Sequence, residues 1–91
     1  MNLKMDFKEL KEEIITELYD LEPTTGADEF YIHYLLSFAK VLKEEELDNF
    51  YKDVLEASSY PYVSYGFEVK LKMLAHKIEL WANILSFTSN P

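Results

Sequence analysis

The sequence predicts an all-α protein, a compact antiparallel bundle of four helices. Glycine and proline are scarce, at 2 and 3 residues, and they divide the chain into long stretches instead of short strands. Within each stretch the apolar residues recur at steps of three and four, which is the period of a helix face. Short linkers between the stretches favour antiparallel neighbours. The predicted helices span about 6–21, 27–42, 44–57 and 65–87 of a single helical domain, 1–91.

The first two helices carry start signals. Asp6 with Glu9, and Thr25 with Asp28, have the spacing of a capping box, in which each side chain satisfies a free backbone amide. The first helix has one apolar face, whereas the second is apolar over most of its circumference. Its polar stripe consists of Glu29, His33, Ser37 and Lys40. We therefore expect the second helix to be covered on several sides.

The boundary between the second and third helices is the hardest to place, because no glycine or proline separates them. One unbroken helix is the alternative, and its ~31 residues would extend about 46 Å, more than a domain of this size can cover. A break near Lys43 is favoured because this lysine would otherwise fall in the apolar stripe. The acidic run from Glu44 to Glu46 also suits the positive dipole end of a helix.

The fourth helix has two apolar rows. The main seam, typical of helical bundles, consists of Phe67, Leu71, Leu74, Ile78, Trp81 and Leu85. We therefore expect Trp81 in the core. The second row consists of Val69, Met73, Leu80, Ile84 and Phe87. We favour a central helix whose second row is covered by a neighbour, and the alternative is an exposed face that forms a homodimer.

No constellation of residues predicts catalysis or metal binding. The chain has no cysteine, and we expect its two histidines, His33 and His76, to be exposed to solvent. Glu29 lies four residues before His33, and His76 lies three before Glu79, so neither pair is the Glu-x-x-His of di-metal carboxylate bundles. Phosphate-binding and hydrolase motifs are absent. The sequence therefore predicts no enzyme, no cofactor and no metal site.

The charge of the chain restricts its partners. Seventeen acids against nine bases give a formal net charge of −8, so direct binding to nucleic acid is disfavoured. The first ten residues are charged throughout, unlike a signal peptide. No uncharged run approaches the ~18 residues of a membrane span. We expect a cytoplasmic protein with no membrane contact.

The acids are concentrated on the first and third helices. Residues 1–22 hold seven acids and three lysines, and residues 44–57 hold six acids and one lysine. The row on the first helix consists of Glu9, Glu13, Glu17 and Asp20. The acids of interest on the third helix are Glu45, Asp48, Asp53 and Glu56. These rows are either a solvated face or a surface for a basic partner, which electrostatic steering would attract.

Three tyrosines, Tyr60, Tyr62 and Tyr65, follow the third helix within six residues. Tyrosine is a preferred anchor of protein interfaces because it offers a large area at a small entropic cost. The alternative is that this segment folds back and closes the end of the bundle. We treat the three tyrosines and the acidic rows together as candidate partner-binding residues.

The stretch from Glu44 to Tyr65 resembles, in general design, the immunity proteins of colicin-type nucleases. Those proteins are small acidic helical bundles with a tyrosine-tyrosine-proline segment beside an acidic helix, whereas the order here is Tyr60-Pro61-Tyr62. Phage-encoded inhibitors that imitate the charge of nucleic acid have a similar composition. The resemblance implies an inhibitor or immunity-type protein that neutralises a basic partner, such as a nuclease toxin or another nucleic-acid-handling protein. The alternative function is a self-associating structural or scaffolding bundle.

Overall fold

Four helices form an antiparallel bundle in the computed structural model, which describes the backbone of residues 5–89 and the side chains of residues 5–83. The helices are α1 (Phe7–Tyr19), α2 (Gly26–Lys40), α3 (Leu47–Ser59) and α4 (Tyr65–Ser89). A short 3-10 turn, Glu44–Glu46, leads into α3. No strand occurs in residues 5–89. The predicted all-α fold is confirmed.

Contacts between the beginning of one helix and the end of its neighbour establish the antiparallel order. These contacts are Lys11 with Leu42, Phe38 with Phe50, Tyr51 with Glu79 and Phe7 with Trp81. The last pair joins the first helix to the fourth, so each helix of the bundle has two neighbours.

Both predicted capping boxes are present. The amide of Glu9 donates to Asp6 Oδ1 at 2.9 Å, and the amide of Asp6 donates back to Glu9 Oε1 at 3.0 Å. In α2 the amide of Asp28 donates to Thr25 Oγ1 at 3.0 Å. These local bonds fix where α1 and α2 begin.

The helix ends differ slightly from the prediction. The predicted break near Lys43 is confirmed, because α2 ends at Lys40 and Lys43 is extended, with ψ at 153°. The acidic run after it forms the 3-10 turn instead of an α-helical turn. At the other end of α3, Tyr60 is extended, as expected of a residue before proline.

The core is built from the predicted apolar faces. Trp81 is 7% exposed, and its indole Nε1 donates to the carbonyl of Met5 at 2.7 Å. The largest fully buried apolar side chains are Phe50, Leu10, Ile14, Leu18, Leu35, Leu71, Leu74, Ile78 and Val54. Leu85, the last residue of the predicted seam, lies outside the described side chains.

The expectation that α2 is covered on several sides is wrong. Phe30 is 63% exposed and Tyr34 is 44% exposed. The physical reason is that α2 packs chiefly against α1 and α3, and these two helices leave Phe30 and much of Tyr34 in contact with solvent. The polar stripe of α2 is exposed, as predicted.

The favoured interpretation of the second row on α4 is also wrong for its described members. Met73 is 64% exposed and Leu80 is 49% exposed, while Val69 is half-buried. Since α4 packs against α3 and α1 through its main seam, Met73 and Leu80 lie outside the core. Ile84 and Phe87 lie outside the described side chains.

Within residues 5–89, no helix combines the length and apolar character that crossing a membrane requires.

Candidate functional site: an acidic and aromatic surface

Side chains from α2, α3 and the loop after α3 form a surface that combines aromatic rings with carboxylates. We call this the acidic-aromatic surface, and it consists of Phe30, Tyr31, Tyr34, Asp53, Glu56, Tyr60 and Tyr62. Tyr62 is 71% exposed, and Tyr31 is the one half-buried ring of the set. Large aromatic side chains left in water are typical of a protein-binding surface.

The rings contact one another in a continuous series. The Phe30 ring stacks on the Tyr34 ring, with centroids 6.4 Å apart and planes 4° from parallel. Tyr31 meets Phe30 at 5.2 Å and Tyr60 at 5.6 Å, both edge to face. Tyr60 in turn meets Tyr62 at 5.6 Å. Because such ring pairs have preferred geometries, each ring limits the freedom of the next.

A hydrogen bond joins an acid of α3 to this series. The hydroxyl of Tyr34 donates to Asp53 Oδ2 at 2.6 Å. This bond, together with partial burial and the charges of Asp53 and Glu56, raises the pKa of Tyr34. The tyrosine therefore remains a neutral donor at physiological pH and holds the carboxylate beside the rings.

Glu56 supplies a second negative charge. Burial raises the pKa of Tyr31, and the negative charges of Glu56 and Asp53 raise it further. Glu56 is exposed and lies one helical turn after Asp53 on α3, so the two carboxylates are neighbours on the same part of the helix surface. Within the described part of the chain no lysine forms an ion pair with Asp53 or Glu56. Both negative charges can therefore attract a positively charged group of another molecule.

A buried carboxylate positions the loop that carries Tyr60 and Tyr62. Asp28 is fully buried and accepts hydrogen bonds from the Ser64 amide at 2.9 Å and the Ser64 hydroxyl at 2.7 Å. It also accepts from the amide and hydroxyl of Thr24, at 3.0 and 3.2 Å. Asp28 thus ties the α3–α4 loop to the start of α2.

The ionised form of Asp28 is strongly favoured. Burial alone would raise the pKa of Asp28, but the hydrogen bonds from Thr24, Ser64 and Thr25 outweigh this effect and hold the pKa well below its usual range. The carboxylate is therefore charged at any physiological pH. Its role is structural, because all of its contacts are donors of the same chain.

The candidate acids of α1 lie elsewhere and make contacts within the protein. Lys77 of α4 pairs with Glu13 at 2.5 Å and also with Glu17. These two hydrogen bonds raise the pKa of Lys77. Glu9 is held in the capping box of α1, and Asp20 is its exposed C-cap. Two acids of this row therefore join α1 to α4.

The remaining candidates are exposed and separate from the ring series. Asp48 pairs with Lys52 one turn further along α3, at 3.5 Å, and both side chains are largely exposed. Glu45 lies exposed in the 3-10 turn. Tyr65, the first residue of α4, is 80% exposed, and no ring contact to it occurs within the described side chains.

The two histidines are exposed side chains of different helices. His33 is exposed on α2, as expected. His76 is also exposed, with Nδ1 3.8 Å from a carboxylate oxygen of Glu79. Among the described residues, no group of three histidines or acids is close enough to hold a metal ion.

Sequence reasoning missed the contribution of α2. An apolar helix pattern counts aromatic residues such as Phe30 and Tyr34 among the positions to be covered, and so it does not mark them as a surface. The signal that could have found them is their spacing: residues four apart lie on one helix face, and Phe30 and Tyr34 have this spacing. Comparisons with protein-family models, curated proteins and solved structures find no match for this chain.

Proposed function

We propose that this protein is a non-enzymatic, small acidic inhibitor or immunity-type protein that binds a basic partner through the acidic-aromatic surface. The observation that carries the proposal is a series of largely exposed aromatic rings bonded to Asp53, with Glu56 one turn further along α3, and no lysine of the described chain forms an ion pair with either carboxylate. Aromatic side chains supply the anchors of an interface. Carboxylates beside them select a partner of positive charge.

Preorganisation of the surface supports the same proposal. The Tyr34 hydroxyl holds Asp53, and Asp28 holds the loop that carries Tyr60 and Tyr62. An interface whose side chains are already placed loses less conformational freedom on binding, which increases affinity. The net charge of −8 adds long-range attraction toward a basic surface.

A nuclease or another nucleic-acid-handling protein is the partner class we favour. Such a protein must present a basic surface to phosphates, and an acidic protein bound there would block access of the nucleic acid. The order of an acidic helix and a Tyr60-Pro61-Tyr62 segment, which resembles the immunity proteins of colicin-type nucleases, supports this choice.

The test is affinity capture from the source organism, followed by binding kinetics with the purified captured protein. We expect a basic protein whose association slows steeply with added salt, because exposed charges act mainly on encounter. Glu56→Lys should slow association. Tyr62→Ala should chiefly speed dissociation. We expect it to reduce the binding free energy by about 2 kcal/mol, the loss typical of a hot-spot residue.

Glu12→Lys is the matched control, because Glu12 is an exposed acid on α1 outside the acidic-aromatic surface. It makes the same change in net charge as Glu56→Lys, so it measures the effect of total charge alone. Binding that is indifferent to salt, to Glu56→Lys and to Tyr62→Ala would contradict the proposal.

The alternative is a self-associating scaffold, favoured by the exposed apolar row on α4. An open groove of about 590 Å³ runs along this face and is lined by Val69, Lys72, Met73, His76, Lys77 and Leu80. Sedimentation should then give a dimer, and Leu80→Glu should convert it to a monomer. We expect this monomer to remain folded, because Leu80 is 49% exposed and a charge there stays in contact with water. A wild-type monomer at high concentration would reject this alternative.

A further inference from the structure

Part of the acidic-aromatic surface is concave. A pocket of about 340 Å³ lies where the beginning of α2 meets the end of α3, and its walls are Ala27, Phe30, Tyr31, Tyr60 and Tyr62. Four of the five lining residues are aromatic. A pocket of this volume has room for the end of one long side chain.

The rings form walls of different orientation. Tyr31 lies at 80° to Phe30 and at 65° to Tyr60, and Tyr62 lies at 66° to Tyr60. Because these rings are not parallel, they line the pocket from different directions. The face of an aromatic ring carries negative charge density, which attracts a cation placed over it.

The charges around the pocket also favour a cation. Asp53 and Glu56 lie in the last turns of α3, just before the pocket wall formed by Tyr60, and the C-terminal end of α3 contributes a partial negative charge. The opposing positive end of α2 is offset by Glu29 in its first turn and by the ionised Asp28. The charged side chains of the two helix ends that meet at the pocket are therefore mainly acidic.

We infer that this pocket receives an arginine side chain of the basic partner. The guanidinium group is flat, stacks on aromatic faces and donates hydrogen bonds to oxygen acceptors. The pocket offers aromatic faces and tyrosine hydroxyls, and α3 carries two carboxylates close by in the sequence, Asp53 and Glu56. A second copy of this chain cannot supply the group, because all nine basic residues are lysines. The inference that the pocket binds a guanidinium group does not depend on the proposed function. Only the assignment of that group to a basic partner protein rests on it.

A titration of the full chain with a small probe tests the pocket. The probe is N-acetyl-L-arginine methylamide, followed by nuclear magnetic resonance at millimolar concentrations. We expect chemical-shift changes at the Ala27 amide and the Tyr62 ring, and nuclear Overhauser effects between the rings and the arginine side chain. N-acetyl-L-citrulline methylamide has nearly the same shape without the charge, and it should cause much smaller changes.

Two variants and a control locate the binding. Tyr62→Leu removes an exposed wall and should weaken probe binding about threefold or more, and Glu56→Gln should weaken it by a similar factor. Tyr19→Leu is the control, because Tyr19 is a similarly exposed tyrosine of α1 that lies beneath Lys40. Equal binding of the arginine and citrulline probes, or unchanged binding by Tyr62→Leu, would overturn the inference.

The titration needs no partner protein, so its failure is distinguishable from failure of the proposed function. If the arginine probe does not bind the pocket but the captured partner still responds to salt and to Glu56→Lys, the pocket inference is rejected and the proposed function stands. If the arginine probe binds as described and no basic partner is captured, the pocket stands and the proposed function loses its support.

Discussion

Replacing Asp28 by asparagine should destabilise the protein strongly for a change that leaves the size of the side chain almost the same. The carboxylate is fully buried, and its Oδ2 accepts hydrogen bonds from Thr24, Thr25 and Ser64, while Oδ1 accepts from the Ser64 amide at 2.9 Å. Asparagine has almost the same volume, so the change leaves no cavity. It replaces one acceptor oxygen by a donor group and removes the negative charge.

The magnitude follows from those contacts. If the amide oxygen of asparagine takes the place of Oδ2, its NH₂ group faces the Ser64 amide, and two donors oppose each other. An unsatisfied buried donor costs about 1–3 kcal/mol, and the remaining bonds lose the extra strength of a charged acceptor. We therefore expect Asp28→Asn to lower the free energy of unfolding by about 2–4 kcal/mol at neutral pH. This is a large part of the stability of a small domain.

The pH dependence provides a second readout. Because the pKa of Asp28 is lowered in the folded state, its contribution is fully present above the pKa of the unfolded chain, about 3.9, and is lost as the pH falls. Below that pH the wild type should lose about 1.4 kcal/mol per pH unit through this group, and the variant should not. The difference between the two proteins should therefore be about 1 kcal/mol smaller at pH 3.

Urea denaturation followed by circular dichroism at both pH values measures these differences. Asp48→Asn is the matched control, since Asp48 is an exposed acid paired with Lys52, and it should change stability by less than about 0.5 kcal/mol. The reasoning is refuted if Asp28→Asn is as stable as the control at neutral pH, or if its deficit is the same at pH 3.

Three further variants test other contacts. Trp81→Ala should cost about 3–5 kcal/mol in urea denaturation because the indole is buried in the seam of α4, and a loss below about 1 kcal/mol would contradict that position. Lys77→Met should destabilise the protein at neutral pH. Because the pKa of Lys77 is raised in the fold, the difference in unfolding free energy from wild type should shrink as the pH rises beyond about 10.4. A difference that stays constant with pH would argue against the ion pairs. Tyr34→Phe should leave the fold intact and lower the free energy of unfolding by about 1 kcal/mol. It should also remove one high-pKa component from the tyrosine titration followed by absorbance. An unchanged titration would contradict the bond to Asp53.

The features that the sequence predicts well are local. A capping box such as Asp6 with Glu9 involves residues three apart, and a helix face such as the seam through Trp81 repeats within one or two turns. Both can be recognised without knowing the partner helices. The break at Lys43 is local too, because a charged residue in an apolar stripe is unfavourable whatever packs nearby.

The features that sequence reasoning missed depend on contacts between distant residues. Lys77 reaches acids that are 64 and 60 positions earlier in the chain, and no helical period reports such a distance. The spacing of Asp28 predicts its cap, but not its bonds to Ser64, 36 positions away. Exposure of Phe30 was missed for a related reason: an apolar pattern identifies faces able to be buried, whereas the packing decides which of them are covered.

The contacts of the acids divide them into two groups with different physical consequences. Glu13 and Glu17 are bound by Lys77 between α1 and α4, so reversing either charge would place two cations together and weaken the fold. Glu56 has no such partner among the described residues, so reversing its charge removes a repulsion from its acidic neighbours and leaves the fold intact. Glu56 can therefore be changed without the loss of an ion pair within the described protein, and for this reason we assign the proposed binding function to Asp53 and Glu56 of α3 and not to the row of α1.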